Sequence, residues 1–366
     1  MKILMISPIY PKPGAATQGI YVHRIYQLYR QLGYEVDLLI YESGSSKVQK
    51  LKAQFRFLTE ISRRLRRGDY DIVNVQYPFL AAIPFRFIRS RAPIITSVHG
   101  HDVKYNTAFK RATGYFTRHL IKKSQMVITP SEYFKAELLR RFSIDPDRVS
   151  VCHPGGIDLE VFHPARRPEE LKNPDIRRIG YCGRIVEGKG WQVLLEAFLT
   201  IAREERFRDL NLVFAGTGAD DDRLLSKIQG IPDAAVRNRV QVLGALNSEE
   251  LAKFYRSLDV FVFPTSYDES LGLVGIESLA CGTPVIASAL GGIREYLVEG
   301  VNGFLIPSLN PQALAQALDR YLILPAQEQA LYKFSAARSV ERYGTKNVAE
   351  KLDQLVKSLV TEKQRS

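Results

Sequence analysis

The chain has 366 residues, 45% hydrophobic and 25% charged, with a formal net charge of +12. That length suits two domains with separate cores, and no run of roughly 18 apolar residues offers a membrane-spanning helix. Three scattered cysteines, Cys152, Cys182 and Cys281, argue against a disulfide framework and for a reducing cytoplasm.

The start, Met1 to Pro8, is too short for a secretion signal and reads as a buried first strand over Lys2 to Ser7. A loop with Pro8, Pro11, Pro13 and Gly14 leads to a helix from about Gly19 to Leu32, closed by Gly33. The amide of Gly19, at that helix start, could meet a phosphate, or the segment is an ordinary strand-to-helix loop. Glu35 to Tyr41 is the second strand. Leu51 to Arg67 follows, with Leu51, Phe55, Leu58, Ile61 and Leu65 at helical spacing among seven Lys and Arg between Lys50 and Arg67. Such a basic amphipathic helix either lies on anionic lipid or is a domain helix with a solvated face.

Ile72 to Gln76, Ile94 to Val98 and Met126 to Thr129 are short β-rich runs. The second of them ends at Val98-His99-Gly100-His101-Asp102. His99 and His101 would point the same way, so with Asp102 they could bind metal. The preferred reading makes His99 a polar contact to a sugar, and a core histidine is the bland one. Lys104 to Lys123 mixes Lys110, Arg111, Arg118, Lys122 and Lys123 with Phe109, Tyr115 and Phe116. No nucleic-acid module pattern accompanies this mixture, so no nucleic-acid partner is expected. Residues 1–175 hold 28 Lys+Arg against 16 Asp+Glu, so the whole net charge of +12 resides there. This half is suited to an anionic partner.

Prolines and charges over His163 to Pro174 look like a linker. A second strand and helix series begins near Arg177. Its strands are Arg178 to Cys182, Asn211 to Ala215, Val240 to Leu243, Val260 to Pro264, Val285 to Ser288 and Gly303 to Ile306. Helices at Gly190 to Arg203, Ser248 to Ser257 and Gly272 to Ala280 lie between them. Alternation of this kind means two parallel sheets covered on both faces, with ligands at the carboxyl ends of strands.

Gly183-Arg184-Ile-Val-Glu-Gly-Lys189-Gly190 places two cations between a strand and a helix, an arrangement suited to a diphosphate. The P-loop pattern needs Ser or Thr directly after Gly-Lys, and Gly190 followed by Trp191 stands there instead. Phe214-Ala-Gly216-Thr-Gly218 permits close approach of a base or ribose to Gly216, though many strand-to-loop turns look alike. The richest segment is Asp268 to Ser288. Glu269 and Glu277 flank a glycine turn, Gly272 and Gly275, that opens an apolar helix. A helix start binds phosphate, and two carboxylates accept from hydroxyls, which together suit a nucleotide-sugar.

These residues resemble the retaining GT-B glycosyltransferases of family 4, nearly end to end. The carriers are Gly183-Arg184, Lys189-Gly190, Glu269 to Glu277, Ala280 to Val285 and Gly291-Gly292-Ile-Arg-Glu295. The resemblance implies two Rossmann-like domains facing across a cleft: 1–167 for the acceptor and 168–346 for the donor. A C-terminal helix, 347–366, would cross back to the first domain. It implies that Glu277 holds the ribose hydroxyls and Glu269 the donor sugar. Arg184 and Lys189 would neutralise the diphosphate, with help from backbone amides near Leu271, Gly272 and Leu273. His99 would line the sugar pocket, and Gly19 would belong to the glycine loop of the first domain. Gln18 stands where the family often has a second glycine, and Leu271 where Phe is usual.

The implied reaction is retaining transfer of a hexose-type sugar from a UDP-sugar or GDP-sugar, with no metal or further cofactor. The positive charge confined to the first half points to a lipid-linked or polysaccharide acceptor, met by a cytoplasmic enzyme on the inner face of the membrane, of unstated oligomeric state. Rival readings are a nucleotide-sugar epimerase, a phosphorylase, or a non-catalytic binding protein on the same fold.

Overall fold

The computed structural model describes residues 1–11, 19–100, 108–165 and 176–365, with backbone only at 108–112 and 362–365. Gln18, the loop ahead of Gly19, His101, Asp102, Lys104, the linker stretch 166–174 and the side chains of Phe109, Lys110 and Arg111 lie outside the described residues. Contacts divide the chain into two compact units, Met1–Gly156 with Thr345–Ser366, and Ile157–Gly344. The first division falls earlier than residue 167 because Ile157 bridges to Gly344 and Phe162 packs on Tyr255, both in the second unit.

The first unit contains strands β1 (Lys2–Ser7), β2 (Glu35–Ile40), β3 (Ile72–Gln76), β4 (Ile94–Ser97), β5 (Met126–Thr129) and β6 (Val149–Val151). Its helices are α1 (Ile20–Gln31), α2 (Lys47–Arg67), α3 (Pro78–Ala81), α4 (Ala108–Lys123) and α5 (Glu132–Arg141). All strand pairings are parallel, in the order β2-β1-β3-β4-β5-β6. Strand β6 has three residues, too few to show a period in sequence.

Alternation along each strand divides its side chains between two faces. Ile3 and Met5 join Ile72, Ile95 and Ile128 on the face covered by Val22, Ile25, Leu28 and Tyr29 of α1. Leu4 and Ile6 join Val73 and Val75 on the other, covered by Phe57, Ile61 and Leu65 of α2.

The second unit has β7 (Arg177–Cys182), β8 (Leu210–Ala215), β9 (Val240–Val242), β10 (Val260–Phe263), β11 (Val285–Ser288) and β12 (Gly303–Ile306). Its helices are α6 (Trp191–Ile201), α7 (Asp221–Gln229), α8 (Ala234–Arg237), α9 (Ser248–Arg256), α10 (Leu273–Ala280), α11 (Pro311–Leu322) and α12 (Ala326–Ser339). The parallel order is β12-β11-β10-β7-β8-β9. One face packs on Trp191, Leu194 and Phe198 of α6 and on Leu314, Leu318 and Tyr321 of α11. The first strand, β7, lies between β8 and β10, so the order of strands reverses there. The carboxyl ends of the strands at such a point are where open α/β sheets bind ligands.

The last helix, α13 (Thr345–Arg365), belongs to the first unit although it follows the second in sequence. Val348, Leu352, Val356 and Leu359 form one apolar stripe at helical spacing and are buried on the α1 face. Tyr34 donates to Asp353 at 2.5 Å, and Lys357 pairs with the same carboxylate at 2.7 Å. Truncating Leu352 to Ala leaves a cavity between α13 and the sheet. A loss of about 2–5 kcal/mol in the urea unfolding free energy is expected. An unchanged midpoint would mean that α13 does not hold this position in solution.

Candidate functional site

In the second unit the loops after β7 and β10 are joined by hydrogen bonds. Ser266 donates from its backbone N–H (2.8 Å) and its hydroxyl (3.0 Å) to the Gly188 carbonyl. Tyr267 donates its hydroxyl to the Glu187 carbonyl at 2.8 Å. Gly190 starts α6 at φ 75°, and a Cβ there would overlap the Pro264 carbonyl oxygen. Only glycine permits that approach at that φ.

This stitching brings Lys189 and Glu269 together. Lys189 Nζ donates to Glu269 Oε1 at 2.5 Å, with the two side chains only 16% and 17% exposed. Thr265 donates its hydroxyl to the same oxygen at 3.0 Å. The ammonium also stands over the rings of Phe263 and Tyr267, at 5.9 and 5.5 Å from their centroids. Partial burial strengthens both attractions. An ammonium carries three protons, so engaging Glu269 leaves others for a phosphate.

Arg184 is different. Its side chain is exposed and its guanidinium has no hydrogen-bond or ion-pair partner among the described residues. Its carbonyl accepts from Tyr181 at 2.9 Å, which fixes the backbone. Leu271 and Leu273 are buried, so only their backbones are available to a ligand. Gly272 precedes α10 at φ 83°, and Tyr296 donates to its carbonyl at 3.0 Å. The first N–H groups of α10 have no acceptor within the helix. Glu277 lies one turn into α10 and is buried, 6% exposed. Burial and then the Glu277 charge push the Cys182 thiol up to about 12, so it is protonated and unreactive. Gly216 meets the Gly183 carbonyl so closely that a Cβ would overlap it, which explains this glycine without any ligand.

In the first unit His99 follows β4. Its Nε2 is 2.8 Å from Gln76 Oε1, so Nε2 carries the proton. Gln76 in turn donates to Asn74 Oδ1 at 2.5 Å and to Ser97 Oγ at 3.1 Å. The imidazole stacks on Tyr77 at 4.2 Å between centroids and on Tyr21 at 6.4 Å. Tyr77 has φ 52°, the one positive value among the described non-glycine residues. Burial lowers the His99 pKa to about 3, so the ring is neutral. Gly19 caps α1 at φ 79°, two residues before Tyr21. Among the described residues no group of three or more His, Cys, Asp or Glu could hold a metal ion.

Of the residues singled out in the sequence, the structure brings Lys189 and Glu269 together; the side chains that support them and His99 were missed. Thr265 and Tyr267 carried a faint signal, as polar residues at the end of a buried strand. Asn74 and Gln76 carried a better one, since polar groups recur at alternate positions of the run Ile72-Val-Asn-Val-Gln.

Two family models match the chain, Glycosyltransferase Family 4 over residues 18–161 and Glycosyl transferases group 1 over 163–338. The chain belongs to the GT-B glycosyltransferases of family 4. Among curated members, it is 32% identical to the D-inositol 3-phosphate glycosyltransferase of Streptomyces bingchenggensis over 297 residues, 76% of this chain and 64% of that protein. The Frankia alni protein of the same name is 33% identical over 218 residues, 57% of this chain and 53% of that one. The alignments thus span less than two thirds of these relatives. Sucrose-phosphate synthase from Thermosynechococcus elongatus superposes with TM-score 0.80 at 22% identity, covering 99% of this family 4 chain and 100% of that one. Anabaena HepE in complex with UDP superposes at 0.76 and 18% identity, covering 98% and 100%. At these identities the likeness is one of GT-B fold.

The buried, neutral His99 makes stability depend on pH. An unfolded histidine titrates near 6.5 and the folded one near 3. Between those values the unfolded chain binds a proton that the folded one refuses. Stability therefore falls as pH drops below about 6.5, by up to about 1.4 kcal/mol per pH unit. Urea unfolding of His99→Gln beside the parent, from pH 7.5 to 4.5, should give a shallower slope for the variant. Equal slopes would place the imidazole in contact with water.

Proposed function

We propose that this family 4 chain is a retaining glycosyltransferase. It moves a hexose-type sugar from a nucleoside-diphosphate sugar, UDP-linked in preference to GDP-linked, to a lipid-linked or polysaccharide acceptor. The second unit takes the donor and the first the acceptor, at the cytoplasmic face of a membrane. The observation that carries this reading is the Lys189–Glu269 pair, set where the strand order reverses and beside the start of α10.

The bond that breaks joins the anomeric carbon to the diphosphate oxygen, and the bond that forms joins that carbon to an acceptor hydroxyl oxygen. Negative charge grows on the departing phosphate. Lys189, Arg184 and the amides at Leu271, Gly272 and Leu273 stabilise it as it develops, in place of a metal. The acceptor proton passes to the leaving phosphate, so attack and departure share one face of the sugar and configuration is kept. Glu269 accepts from sugar hydroxyls while it holds Lys189 in position. Glu277 accepts from the ribose, and neutral His99 presents its ring to the sugar. The structures of Anabaena HepE with UDP and with UDP-glucose favour a UDP-linked donor. The D-inositol 3-phosphate glycosyltransferases favour an acceptor that carries charge. The first unit, with 30 Lys+Arg against 14 Asp+Glu, suits one.

Lys189→Ala should lower kcat about 10²- to 10³-fold, the range seen when one charge-stabilising donor is removed. Glu277→Gln should raise KM for the donor and leave its melting temperature without ligand near the parent value. A thermal-shift panel of UDP- and GDP-sugars should show one donor raising the melting temperature, by about 2.7 kcal/mol of stabilisation at a hundredfold excess over Kd. No shift with any donor, together with unchanged turnover in both variants, would refute the assignment.

A further inference from the structure

We propose that the N-terminal half of α2 is a docking surface for an anionic lipid bilayer. This deepens the membrane-face reading above, and rests on it, by naming the elements that make the contact.

Helix α2 has two apolar stripes. Phe57, Ile61 and Leu65, spaced by four, are buried against the sheet. Val48, Leu51 and Phe55 form a second stripe, 63%, 69% and 70% exposed. At 3.6 residues per turn it is rotated by roughly a third of a turn from the first. An apolar stripe of this kind on one helix, ringed by charge, marks an interaction site.

Charge settles the kind of partner. From Ser43 to Thr59 there is no acidic residue. Lys47, Lys50, Lys52 and Arg56 are all exposed, and none has an ion-pair partner among the described residues. Lys47 and Lys50 also stand at the positive end of the helix dipole, where cations are disfavoured. The Ser46 and Gln49 capping box holds the turn in spite of this. A negatively charged surface would offset that repulsion. The segment Ile83–Arg86 packs against α2 and is followed by Phe87, 76% exposed, flanked by Arg86 and Arg89. A shape-specific protein partner would call for a pocket or a matched polar rim. Two aromatic rings and two aliphatic side chains among unpaired cations ask only for an apolar layer beneath an anionic one. No described helix is long and apolar enough to cross a membrane.

The test is co-sedimentation of the full chain with phosphatidylcholine vesicles, with or without phosphatidylglycerol. The anionic vesicles should bind at least tenfold more protein at low salt, and added salt should release it. Lys47→Gln with Lys50→Gln and Lys52→Gln should weaken binding roughly fivefold per charge. Leu51→Ser with Phe55→Ser should weaken it at least as much without lowering the melting temperature, since both side chains are already exposed. Equal binding to both vesicle types, or no loss in either variant, would overturn the proposal. So would a self-associated parent that the serine variant turns into a smaller species in size-exclusion chromatography, which would assign the stripe to a second copy. Donor thermal shifts on the same samples separate a failure here from a failure of the glycosyltransferase reading.

Discussion

The ion pair between Lys189 and Glu269 is the constraint on which the second unit's site depends. The two residues are eighty positions apart and meet only because β7 and β10 are neighbours. Each supports the other. An ammonium this shielded would cost several kcal/mol to hold without a carboxylate beside it. Without Lys189, Thr265 would be the one side chain holding Glu269 among the described residues. The neighbouring glycines, the Ser266 bonds to Gly188 and the rings under the ammonium all keep these two groups within one hydrogen bond. The pair thus presents a cation and an acceptor side by side.

The first unit's site is built on the opposite principle. His99 is kept neutral by burial and is oriented by a chain of amide and hydroxyl groups through Gln76, Asn74 and Ser97. A neutral imidazole with one fixed proton can donate and accept without bringing charge. Tyr77 adopts a backbone conformation that side chains rarely take, and its ring lies flat on the imidazole. Strain of this sort persists only where the surroundings enforce it. Here the Tyr77 N–H is tied to the Ser97 carbonyl at 3.2 Å and its ring is stacked on His99.

Charge is segregated between the units more sharply than the halves of the sequence suggested. The first unit, with the returning helix α13, carries +16, and the second, with 21 Lys+Arg against 25 Asp+Glu, carries −4. A second unit that is acidic overall still concentrates positive charge in one turn. Arg184 and Lys189 act locally, whereas the basic first unit acts as a field over its whole surface.

Much of this was legible in the chain itself. Alternating apolar runs gave the two parallel sheets, and the glycines and prolines gave their turns, because both signals are local. The segment from Glu269 to Glu277 pointed to a nucleotide-sugar since a helix start and its flanking carboxylates are set by spacing alone. What spacing could not convey was partnership. That Gln76 fixes the proton of His99 and that Gly216 serves Gly183 are facts about strands adjacent in space and distant in sequence, and that Thr265 holds Glu269 depends on how the loop after β10 turns. The exposure of Leu51 and Phe55 belongs with them: the period of α2 declares an amphipathic helix, but only packing chooses which of two apolar stripes is buried. Residue type and spacing determined the elements and the chemistry on offer. The tertiary structure decided which groups meet, because the strand order that brings them together is settled by the burial of both sheet faces at once.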